Sequence, residues 1–89
     1  MPIRLMLVDD HEIVRAGLRS LLESQPELEV VGEAASGEEA LALAPKLRPD
    51  VVLMDVTMPG ISGAETTSKL KILMPEVNVL ALTVHEEEV

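Results

Sequence analysis

The sequence predicts an α/β fold, a doubly wound parallel sheet, on three observations. Short strand-like segments with apolar centres recur at Ile3 to Val8, Leu28 to Ala34, Val51 to Asp55 and Val77 to Thr83. Segments with apolar residues at helical spacing separate them. Two of the runs deliver acids at their C-terminal ends: Asp9-Asp10 after the first and Asp55 closing the third. Strands that alternate with helices imply right-handed crossovers and helices on both faces of the sheet.

Bulk properties narrow the function classes. At 89 residues, the chain suffices for one small domain. Its 47% hydrophobic and 26% charged residues fit a globular protein rather than a disordered one. With no cysteine, disulfides, thiolate metal sites and thiol nucleophiles are excluded. With no Phe, Trp or Tyr, base stacking and aromatic clamps are excluded too. A formal net charge of -9 opposes direct nucleic-acid binding. No apolar run approaches the length of a membrane span, and Met1-Pro2-Ile3-Arg4 does not resemble a signal peptide. The expectation is therefore a cytoplasmic protein with no membrane contact.

The first run, Ile3 to Val8, reads as a strand buried on both faces. A helix should follow from about His11 to Glu23, with Val14, Leu18, Leu21 and Leu22 on its buried stripe. Gly17 inside it suggests close packing against the sheet, since glycine costs a helix about 1 kcal/mol. Gln25-Pro26 ends that helix, because the residue before a proline disfavours helical angles. Leu28 to Ala34 is the second strand.

Ser36 and Glu39 stand at capping-box spacing and start a second helix, buried through Ala40, Leu41, Ala44 and Leu47. Pro45 removes one of its hydrogen bonds and should kink it or end it early. After a turn at Arg48-Pro49-Asp50, Val51 to Asp55 forms the third strand. A second capping box, Ser62 to Glu65, opens a helix that runs to about Leu73 and stops before Pro75. Val77 to Thr83 is the last strand, apolar and at risk as a sheet edge. His85-Glu86-Glu87-Glu88 looks like the solvated first turn of another helix.

If strands one and three are neighbours, Asp9, Asp10 and Asp55 meet outside the carboxyl ends of the sheet, where open α/β folds bind ligands. Crowded carboxylates repel one another unless a cation neutralises them. A site of few carboxylates plus water suits Mg2+. For each acid a plain structural role competes, such as Asp10 capping the first helix. His11 reads as a solvated first-turn residue, since a hard ion prefers oxygen. His85 reads as exposed, and the five methionines as core fillers.

Taken together, Asp9-Asp10, Asp55, Met58-Pro59, Gly63 and Thr83 resemble the receiver domain of a two-component response regulator. The stretches Val8-Asp9-Asp10-His11, Val14 to Arg19 and Val31-Gly32-Glu33-Ala34 resemble its NarL/FixJ (LuxR-type) subclass, in which a receiver usually controls a DNA-binding domain. The resemblance implies the flavodoxin-like receiver fold with strand order 2-1-3-4 over residues 1–89. The domain would be incomplete at its C-terminus, lacking the fifth strand, the last helices and any output domain.

By the same resemblance Asp55 is the phosphoacceptor, its carboxylate attacking phosphorus to form an acyl phosphate. Asp10 and Asp55 would bind Mg2+ directly, Asp9 through water, and the Thr57 backbone carbonyl would add an oxygen. Thr83 would hydrogen-bond a phosphoryl oxygen and carry the switch. The family's lysine and aromatic switch residue belong to strand five; Lys46, Lys69 and Lys71 do not match that position. The partner implied is a sensor histidine kinase, and the chain would not be a multiple-turnover enzyme.

Two other functions compete. A truncated, non-switching receiver could act as an association module, forming a homo-oligomer or domain swap through strand four or helix one. A metal-dependent phosphatase could use Asp55 as nucleophile, but Asp55-Val56-Thr57 lacks a second acid two residues on.

Overall fold

The computed structural model describes residues 2–55 and 60–82. Its elements run β1 (Ile3–Val8), α1 (Glu12–Glu23), β2 (Leu28–Ala34), α2 (Gly37–Leu47), β3 (Val51–Asp55), α3 (Gly63–Leu73) and β4 (Asn78–Leu82). All described strand pairs are parallel, in the order β2-β1-β3-β4. The sheet is the flavodoxin-like arrangement expected from the sequence.

Period-two alternation sorts the strand residues onto two faces. Met6, Val8, Val52 and Met54 face α2 and α3 and pack with Ala40, Ala44, Leu70 and Val77 in the main core. Two small alanines let α2 lie close over the sheet, and methionines fill the volume that aromatics fill in other cores. Leu5 and Leu7 alternate to the α1 face and are also buried. Across the ladder, Leu7 pairs with Leu53 and Leu53 with Leu80. That row opens toward solvent: Leu53 is half-buried and Leu80 is 56% exposed on the edge strand.

Helix α1 departs from expectation. Val14, Leu18 and Leu22 are half-buried, but Leu21 is 67% exposed, and no α1 residue is fully buried. Gly17 has nothing within 4 Å of the place a Cβ would occupy, so close packing is not its role. The helix lies over β1 and β2, and Leu21 sits on the wrong side of its stripe to reach them.

Helix α2 begins as its capping box predicts, Glu39 N–H donating to Ser36 Oγ at 3.1 Å. The Glu39 carboxylate reaches back one residue further, accepting from Ala35 N–H at 2.7 Å. Pro45 does not end the helix early; α2 continues to Leu47 and closes on Arg48 in the left-handed region at φ 53°. Arg4 of β1 secures this end, its guanidinium donating to the Leu47 carbonyl at 2.6 Å. The α3 cap forms as well, Glu65 N–H donating to Ser62 Oγ at 3.0 Å.

One irregularity was not foreseen. Leu5 pairs with Val30 but Met6 pairs with Gly32, so Val31 is the extra residue of a β-bulge. The shifted register carries Glu33 to the level of Leu7, next to the α1 arginines.

Candidate functional site

Parallel pairing brings the C-terminal ends of β1 and β3 side by side, Val8 opposite Met54. The residues that follow, Asp9 and Asp10, therefore share one sheet edge with Asp55. Single carboxylate oxygens of Asp9, Asp10 and Asp55 and a ring nitrogen of His11 all lie within 4.8 Å of one another. Asp9 and Asp55 are buried at 3% and 1% exposure, whereas Asp10 stands at the mouth. The three predicted acids thus converge. Thr57 and Thr83 lie outside the described residues, as do His85 and Glu86 to Glu88.

Local turn chemistry fixes Asp9. Its carboxylate Oδ1 accepts from the His11 backbone N–H at 2.7 Å, an aspartate turn two residues long. Its backbone N–H donates to the Ala34 carbonyl at 3.0 Å, and its own carbonyl accepts from the Arg15 guanidinium. Arg15 also pairs with Glu33 of β2 at 3.1 Å. Glu33 in turn holds Arg19, so β2 and α1 together brace the loop that carries the acids. The sequence offered no direct signal for this brace, which the β2 bulge creates. The N-cap of α1 is His11, not Asp10.

His11 is exposed at the start of α1, as expected, and its ring also rests against the acids. Its Nδ1 lies 3.1 Å from Asp9 Oδ1, 3.0 Å from Asp10 Oδ1 and 4.0 Å from Asp55 Oδ2. Its pKa is raised, first by the hydrogen bond to Asp9 and then by the charge of Asp10. The signal was its position directly after Asp9-Asp10, where an N-cap geometry turns the ring back over the strand ends.

Three carboxylates, two of them buried, form an oxygen donor set that fits a hard divalent cation. A separate cleft of about 500 Å3 opens at the N-terminal edge of the sheet, among Arg48, Asp50, Leu73, Met74 and Glu76. It holds no comparable cluster of ligating groups among the described residues. Chemistry belongs at the acidic edge.

A parallel 2-1-3-4 sheet with acids at the ends of strands one and three has the arrangement expected of a receiver. Comparison with known proteins agrees: the chain belongs to the response regulator receiver domain family, whose model matches residues 5–89. It is 54% identical over 86 residues to the response regulator GacA of Pseudomonas viridiflava, covering 97% of this chain and 40% of that protein. It is 49% identical over 83 residues to the response regulator protein VraR of Staphylococcus aureus, covering 93% and 40%. A solved two-component response regulator of the LuxR family from Aurantimonas sp. superposes with a TM-score of 0.89 at 43% identity, covering 97% of this chain and 61% of that one. The chain thus spans about 40% of the length of the curated relatives it matches.

Proposed function

We propose that this receiver accepts a phosphoryl group on Asp55 from a sensor histidine kinase in a Mg2+-dependent reaction. The observation that carries this reading is the convergence of Asp9, Asp10 and Asp55 at one sheet edge. Asp55 closes β3, paired with Leu82 of β4, and its carboxylate would attack in line with a phosphorus–nitrogen bond. The carboxylate oxygen forms the new bond to phosphorus, and the donor's imidazole leaves with the bonding pair. The product is an aspartyl phosphate held once per cycle, so the domain is not a multiple-turnover enzyme.

Asp9, Asp10, Asp55 and the Thr57 carbonyl would hold Mg2+. When bound, the ion offsets the negative charge shared by the carboxylates and the incoming phosphoryl group. Asp9 accepts from the His11 N–H through its carboxylate and from the Arg15 guanidinium through its carbonyl, contacts that would hold it beside the ion. Leu82, the last described residue of β4, is the ladder partner of Asp55, and Thr83 follows it in sequence. By the family resemblance the Thr83 hydroxyl would donate to a phosphoryl oxygen and carry the switch.

The domain would act in the cytoplasm as the input half of a transcriptional regulator, with DNA contact left to another domain. Among the described residues no helix is long and apolar enough to cross a membrane. An association module has less behind it. It would use exposed Ile13 of α1 and Leu80 of β4 for homo-oligomers, but it leaves the acid cluster without a purpose.

Intact mass after incubation with a small phosphodonor and Mg2+ tests the proposal. One phosphoryl adduct, absent without Mg2+ and absent in Asp55→Asn, is expected. A folded protein that gains no adduct refutes it.

A further inference from the structure

We propose that Arg15 is a positioning residue for the receiver's reaction: its guanidinium clamps the peptide between Asp9 and Asp10 and so sets how both carboxylates face Asp55. The inference rests on the reading of Asp55 as phosphoacceptor, and it adds a residue from outside the acid cluster. Arg15 lies in the first turn of α1 and holds the preceding loop twice. Its backbone N–H donates to the His11 carbonyl at 3.0 Å, the opening bond of the helical ladder. The Asp9 carbonyl lies upstream of that ladder, and the Arg15 guanidinium reaches back to donate to it.

The guanidinium is aimed from β2. Its Nε donates to Glu33 Oε1 at 3.1 Å, while a terminal nitrogen carries the bond to Asp9. Both nitrogens belong to one rigid planar fork, so the direction of one bond fixes the other. Glu33 is itself placed by the bulge at Val31, which sets it opposite Leu7, and Arg19 holds its second oxygen. Only 17% of the Arg15 side chain is exposed, which leaves it little room to swing away.

What the clamp controls is a peptide plane. The Asp9 carbonyl cannot turn without rotating the backbone bonds beside both acids, and the Asp9 carboxylate is already committed to the His11 N–H at 2.7 Å. Release of the plane would spread the groups now gathered within 4.8 Å of one another.

Charge and position predict opposite signs for the loss of Arg15. A cation beside an acidic site repels an incoming divalent ion, so charge alone predicts that removing it tightens Mg2+. Pairing with Glu33 offsets that charge, so the loss of the clamp should win and Mg2+ should weaken.

The experiment compares wild type with Arg15→Ala and Arg15→Lys, and takes Lys71→Ala as control. Lys71 also ties a cation to backbone carbonyls, those of Pro75 and Val77, but at the opposite end of the sheet. Calorimetry measures Mg2+ affinity, and intact mass gives the Mg2+ concentration for half-maximal labelling of Asp55 by a small phosphodonor. In metal-free protein, NMR follows the nitrogen resonance of the Asp10 amide, which shares the clamped peptide. The expected result is that Arg15→Ala weakens Mg2+ by about tenfold or more, raises the half-maximal concentration in step and shifts the Asp10 resonance. Arg15→Lys keeps the charge without the fork and should stay weakened by about threefold or more. Lys71→Ala should match wild type in all three readouts. Unchanged or tighter Mg2+ in Arg15→Ala, full recovery in Arg15→Lys, or equal losses in Lys71→Ala overturns the inference. If Arg15→Ala does not fold, Glu33→Gln keeps the guanidinium but withdraws its aim; an unaltered Mg2+ affinity there overturns the inference as well. Wild type that gains no phosphoryl group brings down the reading of Asp55 itself, whereas labelling with the same Mg2+ dependence in every variant brings down only the role of Arg15.

Discussion

Gly37, the first residue of α2, sits where that helix meets α3, and replacing it by alanine should test the packing that supports the acid-bearing edge. A Cβ at this position would lie 2.2 Å from Thr66 Oγ1 and 2.7 Å from Ile61 Cγ1. Ordinary contacts are about 3.5 Å, so the two overlaps are about 1.3 and 0.8 Å. Thr66 is fully buried, and its hydroxyl donates to the Ser62 carbonyl at 2.9 Å, so rotating it away sacrifices a hydrogen bond. Overpacking of this kind costs about 1–3 kcal/mol, and alanine's better helix propensity returns at most about 1 kcal/mol. A net loss of about 1–2 kcal/mol is expected for Gly37→Ala. Urea unfolding followed by circular dichroism would show a lower midpoint with an unchanged slope. Thr66→Ala removes the nearer clashing atom, so the double variant should recover about 1 kcal/mol relative to the sum of the single effects. A Gly37→Ala protein within about 0.5 kcal/mol of wild type, or strict additivity, would refute the close approach of α2 and α3.

Three further outcomes concern the core, the Glu33 brace and His11. Leu70→Ala empties a fully buried site in the main core and should cost about 2–5 kcal/mol in chemical unfolding. The Arg19 hydrogen bond holds Glu33 below the ordinary carboxylate range, partial burial opposing it and Arg15 assisting. That pairing stabilises the fold above the unfolded carboxylate pKa and is lost as pH falls through the lower folded value. Glu33→Gln should therefore lower stability by about 1 kcal/mol at neutral pH, with the difference from wild type shrinking in acid. His11 should titrate above its ordinary 6.5 by NMR, and Asp9→Asn should bring it down most, since the Asp9 hydrogen bond is the largest cause. The stabilisation linked to that shift is present below the unfolded pKa and lost as pH rises through the folded one. An unshifted His11 would mean the ring does not rest on the acids.

Much of the fold was legible because its signals are local. The apolar runs at Leu28–Ala34 and Val51–Asp55 matched β2 and β3 end to end, and Ser36 and Ser62 marked the starts of α2 and α3. Asp9, Asp10 and Asp55 were readable as a site because a parallel sheet aligns strand ends, so topology alone predicts their meeting. Periodicity could not tell how much of α1 reaches the sheet, because helical spacing records a face and not its partner. Leu21 and Gly17 were misplaced for that reason.

The sequence by itself determined the alternation of elements, the strand order through family resemblance, and the acids available at the sheet edge. Only the tertiary structure decided what surrounds those acids. The extra residue at Val31 aligns Glu33 with Arg15 and Arg19, and the turn at Asp9 swings His11 over Asp10 and toward Asp55. These groups lie far apart in sequence or turn on a single backbone angle, and no local pattern encodes either. Their relation is set by how three strand ends are held together in space, and with it the charge that any cation or phosphoryl group entering the edge must meet.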